Sequence, residues 1–101
     1  MTELHDWLVG QHPGLRTYTS LQHKALQLAS SDAEHGALYR LLAGLAGRYI
    51  ESFDEEPLPV DVAQQAYQRL LATVGDAERS LSASPSEQVK ALNRLAATEL
   101  V

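Results

Sequence analysis

Four times along this chain a short polar residue is followed three positions later by Glu or Gln: Thr19 with Gln22, Ser31 with Glu34, Asp61 with Gln64, and Ser84 with Glu87. Each pair has the form of a capping box. The first side chain accepts a hydrogen bond from a backbone N–H left free at a helix start, and the second reaches back to the N–H of the cap. A chain punctuated in this way is committed to helices, and the apolar residues between the boxes follow the same rule. They recur at three- and four-residue steps, whereas no stretch of four to eight residues alternates with β-branched or aromatic side chains. The sequence therefore predicts an all-α fold, a compact bundle of about five helices without a β-sheet.

The stripes place those helices approximately at 3–11, 20–29, 32–53, 62–81 and 85–99. Leu4, Trp7 and Leu8 share one face of the first, with Thr2 as its cap and Gly10 and His12-Pro13-Gly14 as its stop. Leu15 to Tyr18 reads as a connector. Leu21, Ala25, Leu28 and Ala29 give the second helix its buried stripe. The third, with Leu38, Leu41, Leu42, Leu45, Tyr49 and Phe53, is expected to be the longest and central. It carries Gly36, Gly44 and Gly47, each costing about 1 kcal/mol of helix propensity relative to alanine. That cost implies burial around Gly44 and Gly47, for close helix packing or for a kink or ligand approach. Ala63, Tyr67, Leu70, Val74, Ala77 and Leu81 make the fourth helix the most regular, with Gly75 weakening its middle. Pro85 opens the fifth, where a missing N–H costs nothing, and Val89, Leu92, Leu95 and Ala96 form its stripe.

A length of 101 residues suits one helical domain spanning 1–101. The absence of cysteine removes disulfides, thiolate metal sites and thiol nucleophiles from consideration. The first residues lack a basic segment followed by an apolar one, so no secretory signal is read and a cytoplasmic location is expected. Leu38 to Ile50, the most apolar run, is interrupted by Arg40 and Arg48 and falls short of the ~20 residues of a bilayer span. A formal net charge of -5, with basic residues scattered, opposes nucleic-acid binding. Preference for Ala, Leu and Arg over Lys and Ile is the composition of a GC-rich bacterial gene.

The chemistry-bearing residues are sparse. His5, His12, His23 and His35 do not stand at ligand spacing from one another, and only Asp32 with His35 and Glu34, or His5 beside Asp6, offer local partners. No metal or other cofactor is read from them. No nucleophile elbow or phosphate-binding glycine loop occurs, and Ala43-Gly44-Leu45-Ala46-Gly47 lies within a helical pattern that already commits its amides. No catalytic residue is assigned.

The acidic, proline-containing connector 54–60 is more informative. Glu51, Asp54, Glu55 and Glu56 concentrate negative charge beside Phe53 and Leu58, a mixture that could steer and then anchor a partner protein with a basic surface. Alternatively, the connector is a solvated loop and Phe53 closes the core. Trp7 likewise reads either as a core residue or as part of a detachable docking helix. Leu95, Leu100 and Val101 pack either within the chain or across the axis of a homodimer. Together these readings describe a small non-enzymatic protein–protein interaction domain, an adaptor, inhibitor, immunity or chaperone-like protein acting by surface docking. The alternatives are a ligand- or metal-sensing bundle and, further off, a small enzyme.

Overall fold

The three- and four-residue apolar period closes into α-helices wherever capping or proline chemistry does not interrupt it. The computed structural model describes residues 3–53 and 55–101. Among them are α1 (Glu3–Val9), α2 (Leu15–Ser31), a single 3₁₀ turn (Ala33–His35), α3 (Gly36–Ser52), α4 (Val60–Ser80) and α5 (Pro85–Ala96), with no strand. The radius of gyration is 13.1 Å, that of a close-packed chain of this length, for which about 13 Å is expected. The all-α bundle is as the sequence predicts. Thr2, the expected cap of α1, lies outside the described residues.

Only one of the four boxes caps a helix. At α5 the Ser84 hydroxyl accepts from Glu87 N at 3.3 Å, with Pro85 at the first helical position. Thr19 instead lies one turn inside α2, where its hydroxyl donates to the Leu15 carbonyl. The true N-cap is Gly14, in an extended conformation, and the first turn is fastened by Thr17, whose hydroxyl donates to the His12 carbonyl at 2.5 Å. Leu15 to Tyr18 is therefore helix rather than connector. Tyr18 buries itself one turn ahead of Leu21 and extends the stripe backwards.

Ser31 ends α2 instead of starting α3, its hydroxyl donating to the Leu28 carbonyl. The chain turns at Asp32, whose carboxylate pairs with His35 Nδ1 at 2.8 Å and whose carbonyl accepts from His35 N at 3.1 Å. These bonds hold one 3₁₀ turn and delay α3 to Gly36. Asp61 falls in the first turn of α4, where negative charge opposes the positive helix end, but the cap is Pro59 and supplies no side-chain bond. With 21 residues α4 exceeds α3, which has 17.

Packing follows the stripes closely. The most extensive helix pairing joins α2 and α3 as an antiparallel hairpin. Tyr18 and Tyr49 stack at one end, with ring centroids 4.2 Å apart, and Gly36 lies by the Ala29 carbonyl at the other. At Gly47 a Cβ would stand 2.8 Å from the Gln22 amide nitrogen, so this glycine permits the close approach of α2. Gly44 is different: a Cβ there would meet only the guanidinium of Arg48. Ala63, Tyr67, Leu70, Val74 and Ala77 of α4 are all buried, and Leu81 is half-buried. The buried side of α5 is carried by Ala91 and Leu95, while Val89, expected in the stripe, is 55% exposed. Its turn is shared with Pro85 and Lys90 on the outer face.

Helix α5 stops at Ala96, three residues earlier than the stripe suggests. The segment beyond it folds back on the bundle, where Leu100 is buried and its carbonyl accepts from Arg69 at 3.1 Å. Leu95 and Leu100 thus belong to this chain's own core, whereas Val101 is exposed.

Candidate docking surfaces

Helix α1 is seven residues long, too short to persist in water on its own propensity. Its place is set by α4, which runs antiparallel beneath it and carries one polar group to each of its ends. At the N-terminus Glu78 is 2% exposed, and its carboxylate accepts from Leu4 N at 2.9 Å and His5 N at 2.8 Å. These are two of the amides that a helix start leaves without an intrahelical partner, and the anion faces the positive end of the helix dipole. At the C-terminus the Tyr67 hydroxyl donates to the Leu8 carbonyl at 2.6 Å, with the carbonyls of Gln11 and Val9 gathered round the same hydrogen at 3.1 and 3.3 Å. Leu4 and Leu8 fill the floor between these anchors, 1% and 0% exposed. Gly75 lets α1 lie close, since a Cβ there would meet the His5 ring at 3.3 Å.

The other flank of α1, toward α2, is open. An open groove of about 560 Å³ runs between the helices, lined by Glu3, Trp7, Lys24, Gln27 and Leu28. Trp7 is half-buried here, and the Lys24 ammonium stands 5.1 Å from its ring centroid, within the range of a cation–π contact. Two open clefts of about 210 and 180 Å³ lie between α4 and α5 beside Asp76 and Arg94, and two others are smaller. One of about 50 Å³ lies among Leu38, Ser80, Leu81, Gln88 and Leu92, and one of about 20 Å³ lies under the C-terminal segment beside Tyr49.

The acidic connector separates into two kinds of residue. Glu51, Glu55 and Glu56 are exposed, while Phe53 and Leu58 are half-buried and pack on the core. Phe53 tilts against Tyr49 with ring centroids 5.2 Å apart. Asp54 lies outside the described residues. Val60, directly after Pro59, is 78% exposed. The structure thus sets three acids and an uncovered apolar side chain along one stretch of chain, with the two larger apolar residues turned partly inward.

Three tyrosines are perturbed. Burial holds the phenols of Tyr18, Tyr39 and Tyr49 above the ordinary phenol value; at Tyr18 the neighbouring Tyr49 adds to it, and at Tyr39 the carboxylates of Asp32, Glu78 and Glu3 do so. The hydroxyls of Tyr18 and Tyr49 are buried without a hydrogen-bond partner among the described residues. Among the described residues no three of His, Cys, Asp and Glu gather where they could hold a metal ion, and His35 is engaged by Asp32. No described helix is long and apolar enough to cross a membrane. Comparison with known proteins adds no assignment, because no family model, curated protein or solved structure matches this chain.

Sequence reasoning passed over Glu78 and Tyr67 as partners of α1. A signal for Glu78 does exist. It stands four residues after Val74 and three before Leu81, on the apolar side of α4, and a carboxylate there must find donors or carry a large desolvation cost.

Proposed function

We propose that this protein is a small non-enzymatic interaction domain of the cytoplasm, an adaptor, inhibitor, immunity or chaperone-like protein, acting by surface docking on another protein. One observation carries the reading: between residues 51 and 60 Glu51, Glu55, Glu56 and Val60 are exposed, with Phe53 and Leu58 half-buried in the same stretch of chain. Negative charge accelerates encounter with a basic surface, and the apolar side chains supply contact area once water is displaced. The partner's surface is then occluded or stabilised without bond chemistry. The test replaces Glu51, Glu55 and Glu56 by glutamine and compares the proteins captured from the native host, at low and at moderate salt. Loss of specific partners, with salt weakening the wild-type capture, is expected; an unchanged set of partners removes the acidic edge from the mechanism.

A second reading, a ligand-sensing bundle, draws on the unpartnered hydroxyls of Tyr18 and Tyr49. The hollow beside Tyr49, about 20 Å³, suits a single water, which needs roughly 10–15 Å³, and is too small for a metabolite. Docking is therefore preferred.

A further inference from the structure

We infer that the connector between α3 and α4 presents one turn of polyproline II helix, Glu56 to Pro59, to a partner protein whose groove is lined by aromatic rings and rimmed by Lys or Arg. This rests on the docking reading and deepens it, by naming the form of the segment that is recognised and the chemistry of the surface that receives it.

The sequence dictates the conformation. Glu56 and Leu58 each precede a proline, which drives them out of the α region into extended backbone, while the rings of Pro57 and Pro59 fix φ at about −65°. Pro59 has φ −61° and ψ 143°, within the polyproline II region, and Pro57 to Pro59 is neither helix nor strand. Such a helix repeats every three residues, so its side chains fall along three edges. Burial follows that period. Leu58 is half-buried and packs on the core, whereas Glu56 and Pro59, three apart, are exposed, and so are Pro57 and Val60, again three apart. Val60 is 78% exposed. One edge is used by the fold and two are left to solvent.

Those two edges are what an aromatic-lined groove takes from a proline-rich segment, whose backbone has no internal hydrogen bonds to break and little freedom to lose. Here the segment is ordered before any encounter. The Glu56 amide donates to the Phe53 carbonyl at 3.4 Å on one side, the Ala63 amide donates to the Pro59 carbonyl at 2.9 Å on the other, and Leu58 holds the middle. Addition to a partner's sheet is a poorer fit, because Pro57 and Pro59 lack two of the N–H groups that strand pairing needs. Charge sets the rim. Glu51, Glu55, Glu56 and Asp61 are exposed around the segment, and no Lys or Arg occurs between residues 49 and 68, so the complementary surface is basic.

The test places a photo-reactive benzoylphenylalanine at Val60 of the full chain, irradiates it in cells of the native host and maps the adduct by mass spectrometry. The adduct is expected on a partner segment that contains Trp or Tyr with Lys or Arg close by. Against that partner in purified form, Val60→Asp, a change confined to an exposed side chain, should weaken binding about tenfold or more, and Pro57→Ala combined with Pro59→Ala should do the same. Should the proline variant fail to fold by circular dichroism, Val60→Asp and the mapped adduct decide the matter. No adduct, an adduct on a surface without aromatic rings, or binding indifferent to Val60→Asp would each overturn the inference. If it falls while the glutamine variants of Glu51, Glu55 and Glu56 still lose their partners, the docking reading survives without this mode of recognition.

Discussion

Helices α1 and α5 begin with the same physical need and meet it in opposite ways. Both expose backbone amides at their first turn that require acceptors. At α5 the acceptor is Ser84, three residues from the amide it serves and immediately ahead of the helix. At α1 it is Glu78, 74 residues from Leu4 and on another helix. A local cap stabilises a helix whether or not the bundle has formed. A remote cap exists only in the folded bundle, so it reports on docking and ties the fate of α1 to its contact with α4. The comparison explains why the marginal helix has the buried carboxylate: a seven-residue segment gains little from a local cap and much from a charged group fixed by its neighbour.

The sharpest way to break this comparison is to remove the remote cap. Glu78→Ala leaves the amides of Leu4 and His5 without their acceptor and opens space beneath α1, and should lower stability by about 3 kcal/mol in chemical denaturation. The loss is limited by what α1 docking contributes, since amides released to water find partners again. Hydrogen exchange should therefore show protection vanishing at residues 4 and 5 and persisting in α3. Retained protection at Leu4 would mean that apolar packing of Leu4 and Leu8, and not Glu78, places the helix.

At the opposite end of α1, Tyr67→Phe removes only the donor to Leu8 and keeps the ring. A loss of about 1 kcal/mol is expected, the net value of one hydrogen bond, because the Leu8 carbonyl still accepts from Gln11 N at 3.0 Å. In a double-mutant cycle with Glu78→Ala the two losses should fall short of their sum, since either change alone frees the same helix. Full additivity would show that α1 does not respond as a unit.

These two anchors also mark where the sequence stops being readable. The stripes of α3 and α4 were visible because a helix's neighbours on one face lie three or four residues apart, so Leu38 to Tyr49 and Ala63 to Ala77 announce their own burial. The boundary errors share a cause. Thr19 with Gln22 satisfies the capping pattern equally well one turn inside a helix, and Asp61 with Gln64 does so within the first turn, and nothing local separates these cases from a true cap. What decided α2 was Gly14 with Thr17 bonding back to His12, and what decided α3 was the pairing of Asp32 with His35. The acidic edge was legible as charge, and Glu51, Glu55 and Glu56 are exposed as charge density implies. The seating of α1 on α4 was not, because residues 4, 8, 67 and 78 meet only through the topology. Glu78 alone left a trace, as a carboxylate on an apolar stripe.

Removing the local cap should cost less and travel less far. Ser84→Ala deprives the Glu87 amide of its acceptor and should destabilise the protein by about 1 kcal/mol, the usual value of a serine cap. Exchange should rise only in the first turn of α5, because Pro85 still fixes the entry and Gln88 still donates to the carbonyls of Leu81 and Ala83. A loss as large as that of Glu78→Ala would erase the distinction between local and remote caps.

The smallest effect is the most discriminating about the sequence pattern itself. Thr19→Ala changes a residue that reads as a cap yet sits in the body of α2, exposed, with its hydroxyl 3.3 Å from the Leu15 carbonyl. A cap would lose about 1 kcal/mol on this change. An interior, solvent-facing threonine gives up χ1 restriction and a back-bond that competes with the helix, so alanine should stabilise by about 0.3 to 0.7 kcal/mol. The two positions thus predict opposite signs for one substitution, and a shift of the denaturation midpoint to higher denaturant at unchanged slope identifies the interior one. A shift downward of cap size would place the start of α2 near residue 20 in solution and return Leu15 to Tyr18 to the connector, which would also loosen the stacking of Tyr18 on Tyr49.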